Sequence, residues 1–302
     1  MIHWLRHHEI DPSKWDQGMA RCANASWYGL FNTLEATAPG WEALVDTETG
    51  AQMPLPRRGK FGINYLFQPF LVQHLGPYMP APDMRQAAQF VRAIPARYRY
   101  ADIQLAIMEL PHLRQLRTAQ RINHVLRLDR PLDALRSGYS ENHRRSVRKA
   151  QQQGVRVENR VEGANVASFL ERSEQFKAWR VDRAGRNAMR RVLAETEATG
   201  TGFGRMVLHG QVPVAAGWFV RYGNRLIFLK GLATPEGRRM RAMHGLIDQV
   251  IAEHAATGTV LDFAGGNDLQ LARFYSGFGA DPVVYLRALM NRLPALVRWL
   301  KP

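Results

Sequence analysis

The chain has 302 residues, too many for one small module, and fits either two domains of about 130 to 160 residues or one large one. A hydrophobic fraction of 46% with 22% charged residues excludes a disordered chain, and the single cysteine, Cys22, excludes an intrachain disulfide and a cysteine zinc cluster. The 41 Lys and Arg against 26 Asp and Glu leave a formal charge of +15, which suits an anionic partner but also serves solubility alone. Met1-Ile2-His3-Trp4-Leu5-Arg6 meets a charge too early for a signal-peptide core, and no run of about 18 apolar residues occurs, so a cytoplasmic protein is expected, with at most peripheral contact with an anionic membrane.

Asp11 followed by Pro12 predicts a helix start, and helices are expected over Asp11 to Cys22 and Ala25 to Ala36, so that two helices open the protein. Extended segments follow at Trp41 to Thr47, Ala51 to Leu55 and Gly62 to Gln73, with a turn at Arg57-Arg58-Gly59-Lys60. A helix over about Met84 to Ile94, a strand Ala101 to Met108, a helix Leu113 to Gln120 and a strand His124 to Leu128 complete a first domain over residues 1–130.

The second domain, residues 131–302, opens with a helical connector from Pro131 to Gln153. Its Arg144, Arg145, Arg148 and Lys149 line one side while Val147 and Ala150 face elsewhere. A strand Val155 to Val161, helices over Val166 to Phe176 and Asn187 to Thr196, and strands Gly204 to His209, Val214 to Tyr222 and Arg225 to Leu232 follow. Next come a helix through Met243, Leu246, Ile247, Val250 and Ile251, a strand Val260 to Phe263, a helix Leu269 to Phe278, a strand Pro282 to Leu286 and an amphipathic helix Arg292 to Leu300. The element order of the first half recurs in the second, which predicts an α+β protein with helices packed on a mixed sheet in each half.

Gly200-Thr201-Gly202-Phe203-Gly204 runs from a helix into a strand, the reverse of a dinucleotide fingerprint, and reads as a turn. The histidines form no i,i+4 pair with a nearby carboxylate, so no metal site is expected, and no G-x-S-x-G elbow marks a serine hydrolase.

Three runs carry chemistry. In Leu261 to Ala280 a strand, a glycine turn at Gly265-Gly266 and a short helix follow one another, and the close, Phe274-Tyr275-Ser276-Gly277-Phe278-Gly279-Ala280, resembles the fYeklGF signature of GNAT acyltransferases, with Ala280 in place of the last Phe. In that family the tyrosine often gives a proton to the departing thiolate, and the resemblance puts this role on Tyr275. Read without it, Tyr275 is a core tyrosine with its hydroxyl at the surface.

Lys230 to Met243 leads from a strand into an amphipathic helix, where GNAT proteins place their pyrophosphate loop, R/Q-x-x-G-x-G/A, and backbone N–H groups at the helix start receive a phosphate. Arg238 stands at the first position, while Arg241 and Met243 replace the small residues. Three arginines close to a helix start imply an anion among them; the other reading caps the helix at Thr234 and leaves Arg238 to Arg241 on a solvated face.

Tyr139 to Val157 resembles the segment that opens the second domain of Fem-type transferases, a cationic helix ended by Gly154. The resemblance covers about Pro131 to Leu286 directly and the first domain by element order. It implies two tandem GNAT-like domains, each with a mixed, mostly antiparallel sheet flanked by helices. It also implies transfer of an acyl or aminoacyl group from acyl-CoA, a carrier thioester or aminoacyl-tRNA to an amine, in a small-molecule or peptide acceptor such as a cell-envelope precursor, with no tightly bound cofactor. Donor binding then falls to Lys230, Gly231, Leu232, Arg238, Arg239, Arg241 and Asn267, and acceptor binding to Arg57, Lys60 and Tyr65 in the first domain. The rival expectation is a degenerate transferase that docks on RNA or an anionic membrane surface without turnover.

Overall fold

The computed structural model describes residues 1–113 and 116–294, so the helix expected over Arg292 to Leu300 lies outside the described residues from 295 on. The chain forms two compact units, unit 1 from Met1–Arg121 with the stretch from Val284 onward, and unit 2 from Ile122–Val283.

Unit 1 opens with a strand, β1 (Ile2–Leu5), where only helices are expected; it is recruited by β2, along which Ile2 to Leu5 pair with Asp46 to Ala43. Helix α1 (Pro12–Ala20) is capped by Asp11, whose carboxylate accepts from Lys14 N at 2.8 Å, and α2 (Phe31–Thr37) follows. Strands β2 (Glu42–Asp46) and β3 (Gln52–Leu55) complete an antiparallel three-stranded sheet ordered β1-β2-β3. The turn expected at Arg57 to Lys60 is a strand, β4 (Arg57–Lys60), which pairs with β5 (Ile63–Phe67); the hairpin turns at Phe61 and Gly62 instead, both with positive φ. The strand expected to reach Gln73 stops at Phe67, shortly before Pro69, which has no N–H to give a ladder.

After α3 (Met84–Ala93), strand β6 (Tyr98–Leu105) lies parallel to β5. The helix expected from Leu113 is replaced by β7 (Leu116–Leu128), one long strand that runs from unit 1 into unit 2. Its end alternates, with Leu126 and Leu128 buried beside an exposed Arg127, and this period of two belongs to a sheet. The core of unit 1 is aromatic: Trp15 and Trp41, both almost fully buried, meet edge to face at 4.8 Å beside Met19, Tyr28 and Leu34.

In unit 2 the connector breaks into α4 (Leu132–Ser137) and α5 (Glu141–Gln152) at Gly138 to Ser140. Ser140 caps α5, and Arg144 reaches back to the carbonyls of Tyr139 and Ser137 at 2.7 and 3.2 Å, which fixes the break. The buried side of α5 is His143, Ser146, Val147 and Ala150, and Arg144, Arg145, Arg148 and Lys149 are exposed. Strand β8 (Val155–Val161), helices α6 (Gly163–Arg172), α7 (Glu174–Ala178) and α8 (Arg183–Ala198), and the meander β9 (Gly202–His209), β10 (Val212–Tyr222) and β11 (Arg225–Ala233) follow. The chain continues through α9 (Pro235–Arg239), α10 (Ala242–His254), β12 (Thr259–Asp262) and α11 (Leu269–Ser276).

The strands of unit 2 are ordered β7-β12-β11-β10-β9-β8, antiparallel except for β11 with β12. One apolar core joins α10 (Leu246, Ile247, Val250, Ile251) to Phe219, Leu226, Phe263, Tyr275 and Phe278. The last strand, β13 (Asp281–Asn291), leaves this unit: Leu286 to Asn291 pair antiparallel with Leu105 to Tyr100 of β6. By packing, the ladder to β6 places the stretch from Val284 in unit 1, and the change from unit 1 to unit 2 falls between Arg121 and Ile122, within β7. Unit 2 is a mixed, mostly antiparallel sheet flanked by helices, and unit 1 combines the antiparallel sheet β1-β2-β3 with the mixed strands β4, β5, β6 and β13.

Candidate functional site

The fYeklGF-like run lies on and just after α11, which follows the glycine turn. Asp268 caps α11 by accepting from Gln270 N and Leu271 N at 2.9 and 3.0 Å, and Tyr275 lies on the inner side of that helix, 6% exposed. Its ring stacks on Phe263 at 4.5 Å and lies 5.9 Å from the ring of His124. The side chain is buried, and its hydroxyl makes no hydrogen bond among the described residues. Burial, and then the charge of Asp268, push this phenol above its ordinary pKa, so it is protonated throughout the neutral range.

The turn in front of Tyr275 is held by a buried carboxylate. Asp262 accepts from Asn123 Nδ2 at 2.8 Å, from Ala264 N at 2.9 Å and from Arg225 Nη1 at 2.8 Å, while Asn123 Oδ1 accepts from Gly265 N at 2.9 Å. A Cβ on Gly265 would lie 4.0 Å from the Tyr275 hydroxyl oxygen, so this backbone passes directly by the phenol. Asn267, expected to bind donor, uses its Oδ1 to accept from Ile122 N at 3.0 Å and thereby ties the turn to β7.

Lys230, Gly231 and Leu232 lie together near the end of β11. The parallel pairing of β11 with β12 ends at Ile227 with Asp262, whereas its pairing with β10 continues to Ala233. Across β10, Trp218 faces Lys230 and Phe219 faces Phe228, which leaves Leu229 as the extra residue of a bulge, with its backbone out of the ladder. Gly231 is required by its neighbour: a Cβ there would come within 2.4 Å of Cζ of Phe228. The Lys230 ammonium sits 4.0 Å from the centre of the Trp179 ring, and burial lowers its pKa to about 8.

The arginine run is divided by a helix break. Thr234 caps α9 by accepting from Gly237 N at 3.0 Å, with Pro235 in the first turn, as one of the two sequence readings requires. Arg238 and Arg239 then fall in the last turn of α9, where cations suit the negative end of the helix, so no anion is needed to offset them there. Arg241 alone stands at the start of α10, in the left-handed conformation (φ 61°) that the family's motif reserves for glycine, and α10 has no side-chain cap. All three arginines are exposed.

The proposed acceptor residues belong to unit 1. Arg57 is engaged within its own unit, donating to Gly40 O at 3.0 Å and pairing with buried Glu42 at 3.2 Å. Burial alone would raise the Glu42 pKa, but hydrogen bonds from Arg97, Tyr98 and Trp4 outweigh it and hold the carboxyl below its ordinary range. Lys60 is exposed at the tip of the β4–β5 hairpin, and Tyr65 is half-buried on β5 opposite Arg58. Sequence reasoning missed His124, the Asn123–Asp262–Arg225 network and Trp179. Only Asp262, immediately before the glycine turn, carried a local signal.

Residues 137–274 match the family described as Acetyltransferase (GNAT) domain. No curated protein matches the chain. Among solved structures the chain is similar to FemX, at 12% identity over 97% of this chain and 99% of that one, with a TM-score of 0.65. It is also similar to the C-terminal domain of a putative lysylphosphatidylglycerol synthetase from Agrobacterium fabrum, at 13% identity over 94% and 95%, TM-score 0.51. A third similarity is to L-PGS from Bacillus licheniformis, at 10% identity over 95% and 93%, TM-score 0.52. Residues 137–274 thus match a GNAT acetyltransferase domain, and the chain as a whole shares the fold of FemX over nearly its entire length.

Proposed function

We propose that this protein moves an acyl or aminoacyl group from an activated donor to an amine by direct attack within a ternary complex, with Tyr275 as the acid that protonates the leaving group. The observation that carries this reading is the placement of Tyr275, its side chain buried beside the Gly265 turn, its phenol protonated at neutral pH and making no hydrogen bond among the described residues. The amine nitrogen forms a bond to the donor carbonyl carbon, the bond from that carbon to sulfur or oxygen breaks, and the departing atom takes the phenol proton. The proton lost by the amine goes to solvent, from which the phenolate is restored. Backbone N–H groups at the bulge and at Lys230 to Leu232 are the donors for the developing oxyanion.

Lys230, Gly231, Leu232, Arg238, Arg239, Arg241 and Asn267 form the donor side in this proposal, with the first turn of α10 and Arg241 receiving donor phosphate. Arg57, Lys60 and Tyr65 form the acceptor side. The donor is acyl-CoA, a carrier thioester or aminoacyl-tRNA, and the acceptor is a small-molecule or peptide amine such as a cell-envelope precursor. Among the described residues no helix is long and apolar enough to cross a membrane. The exposed cations of α5 favour a second reading, a transferase fold that docks on RNA or an anionic membrane without turnover.

Native mass spectrometry and thermal shift against acetyl-CoA, longer acyl-CoAs and a charged tRNA pool decide between the two. Binding of one donor class followed by product formation with an amine supports the transferase. Binding of uncharged RNA as tightly as charged RNA, with no product from any donor, supports the second reading.

A further inference from the structure

Away from Tyr275, unit 2 contains a cleft of about 400 Å³ whose lining includes Arg160, Glu197, Phe203, Arg205 and Arg221. It lies where β8 ends, β9 begins and β10 ends, at the start of β11. The nine residues of β11 run from there to α9, a strand length on the order of 25 Å, so the cleft and the first turn of α10 are at opposite ends of the sheet.

Three arginines arrive at this cleft from three different strands. Arg160 is the extra residue of a bulge between Asn159 and Val161 and has a φ of 58°, a backbone conformation that side chains other than glycine rarely adopt; a bulge of this kind re-aims the side chain it carries. Arg205 is 7% exposed and fixed, with Nη2 on Glu253 at 2.7 Å and Nη1 on Gly204 O at 3.3 Å, while its buried Nε has no partner among the described residues. Arg205 and Arg221 both lie on the Phe203 ring, at 4.5 and 4.7 Å from its centre, and that ring stacks on Phe219.

The acceptors nearby are few. Glu253 is taken by Arg205, Glu197 is exposed and accepts from Gly163 N at 3.1 Å, and among the described residues Arg221 has the polar side chain of His254 beside it, with Nε2 at 3.4 Å. Arg160 and Arg221, both exposed, carry no carboxylate partner among the described residues. Guanidinium forks from separate strands, held over an aromatic floor and short of acceptors, match an anion with several oxygens on one centre.

We infer that this cleft binds a small phosphate-bearing ligand, gripped by Arg160 and Arg221 above the fixed Arg205–Phe203 platform. The site is independent of the donor end of unit 2 and of the reading given to Tyr275. The ligand is either a free phosphate or pyrophosphate, or the phosphate of a nucleotide.

Isothermal titration of the full chain with pyrophosphate and, separately, with AMP, at constant ionic strength, tests this in the unaltered protein and in Arg160→Gln, Arg221→Gln and Arg238→Gln. The two cleft residues are exposed, so their variants keep the fold, which circular dichroism checks. The expected result is saturable binding of at least one probe that weakens tenfold or more in both cleft variants and is retained in Arg238→Gln. The probe bound more tightly distinguishes free phosphate from nucleotide. Absence of saturable binding of either probe, or binding lost only in Arg238→Gln, overturns the assignment.

Discussion

Tyr275 is a buried side chain whose hydroxyl makes no hydrogen bond among the described residues, so the oxygen contributes little to holding the fold. Tyr275→Phe removes only that oxygen. Urea denaturation is expected to find the variant as stable as the parent or slightly more so, while kcat falls by about 10²- to 10⁴-fold, the usual contribution of a positioned acid. Equal turnover in the two proteins would remove Tyr275 from the chemistry. Lys230 gives a second check. Its ammonium is charged below about 8 and neutral above, so affinity for an anionic donor is expected to fall as pH rises through 8, and Lys230→Gln should flatten that profile. Tyr275 was legible because its motif is local in sequence. The groups that frame it were not: His124 comes from β7 and Asn123 from the same strand, and only sheet pairing brings them to the glycine turn.

Elements of unit 2 are joined by two buried polar clusters, and each makes a prediction. Asp262 at the end of β12 holds Ala264 N, Asn123 and Arg225 at once, so Asp262→Ala leaves several donors unsatisfied and is expected to cost about 3 kcal/mol in urea denaturation. The second cluster lies where α5, α10 and α11 meet. His143 and His244 have ring centres 4.8 Å apart and pack against Phe274 and Phe278. His143 Nε2 is 2.9 Å from Phe274 O, and its Nδ1 is 3.0 Å from Ser140 Oγ, an arrangement that a neutral ring satisfies on both sides. Burial lowers both pKa values; for His143 it outweighs the bond to Phe274 O, which acts the other way, and for His244 nearby positive charge adds to it and takes the value to about 3.

Because the unfolded chain then binds more protons than the folded one, stability is full above about pH 6.5 and is lost as pH falls toward 3. The slope is at most about 1.4 kcal/mol per pH unit per histidine. Thermal melts across that window check the sign, and His244→Phe should reduce the slope. Helices with an apolar stripe, such as α10, and the meander β9–β11 were legible from periodicity alone, whereas the break between α9 and α10 was not. It depends on Arg241 adopting a left-handed backbone that no sequence pattern favours.

At the scale of the molecule, the duplicated α+β order was readable, but the route of the last strand was not. Asp281–Asn291 reads as a strand in either unit, and what decides is the edge available: β6 accepts it over Leu105 to Tyr100, and Arg287 closes on Asp102 with bonds of 2.7 and 2.6 Å. A chain ended at Val283 is therefore expected to keep the folding transition of unit 2 and to lose that of unit 1. Differential calorimetry with limited proteolysis would show protected fragments within Ile122–Val283 and rapid cleavage before residue 121; equal protection of both units would contradict this. The same placement has a consequence for the order of assembly on the ribosome. Every strand of unit 2 has been made before the strand that completes unit 1 emerges, so the half that is synthesised first finishes last. Until then β6 presents an unpaired edge to other chains, the kind of exposure that chaperones cover during synthesis.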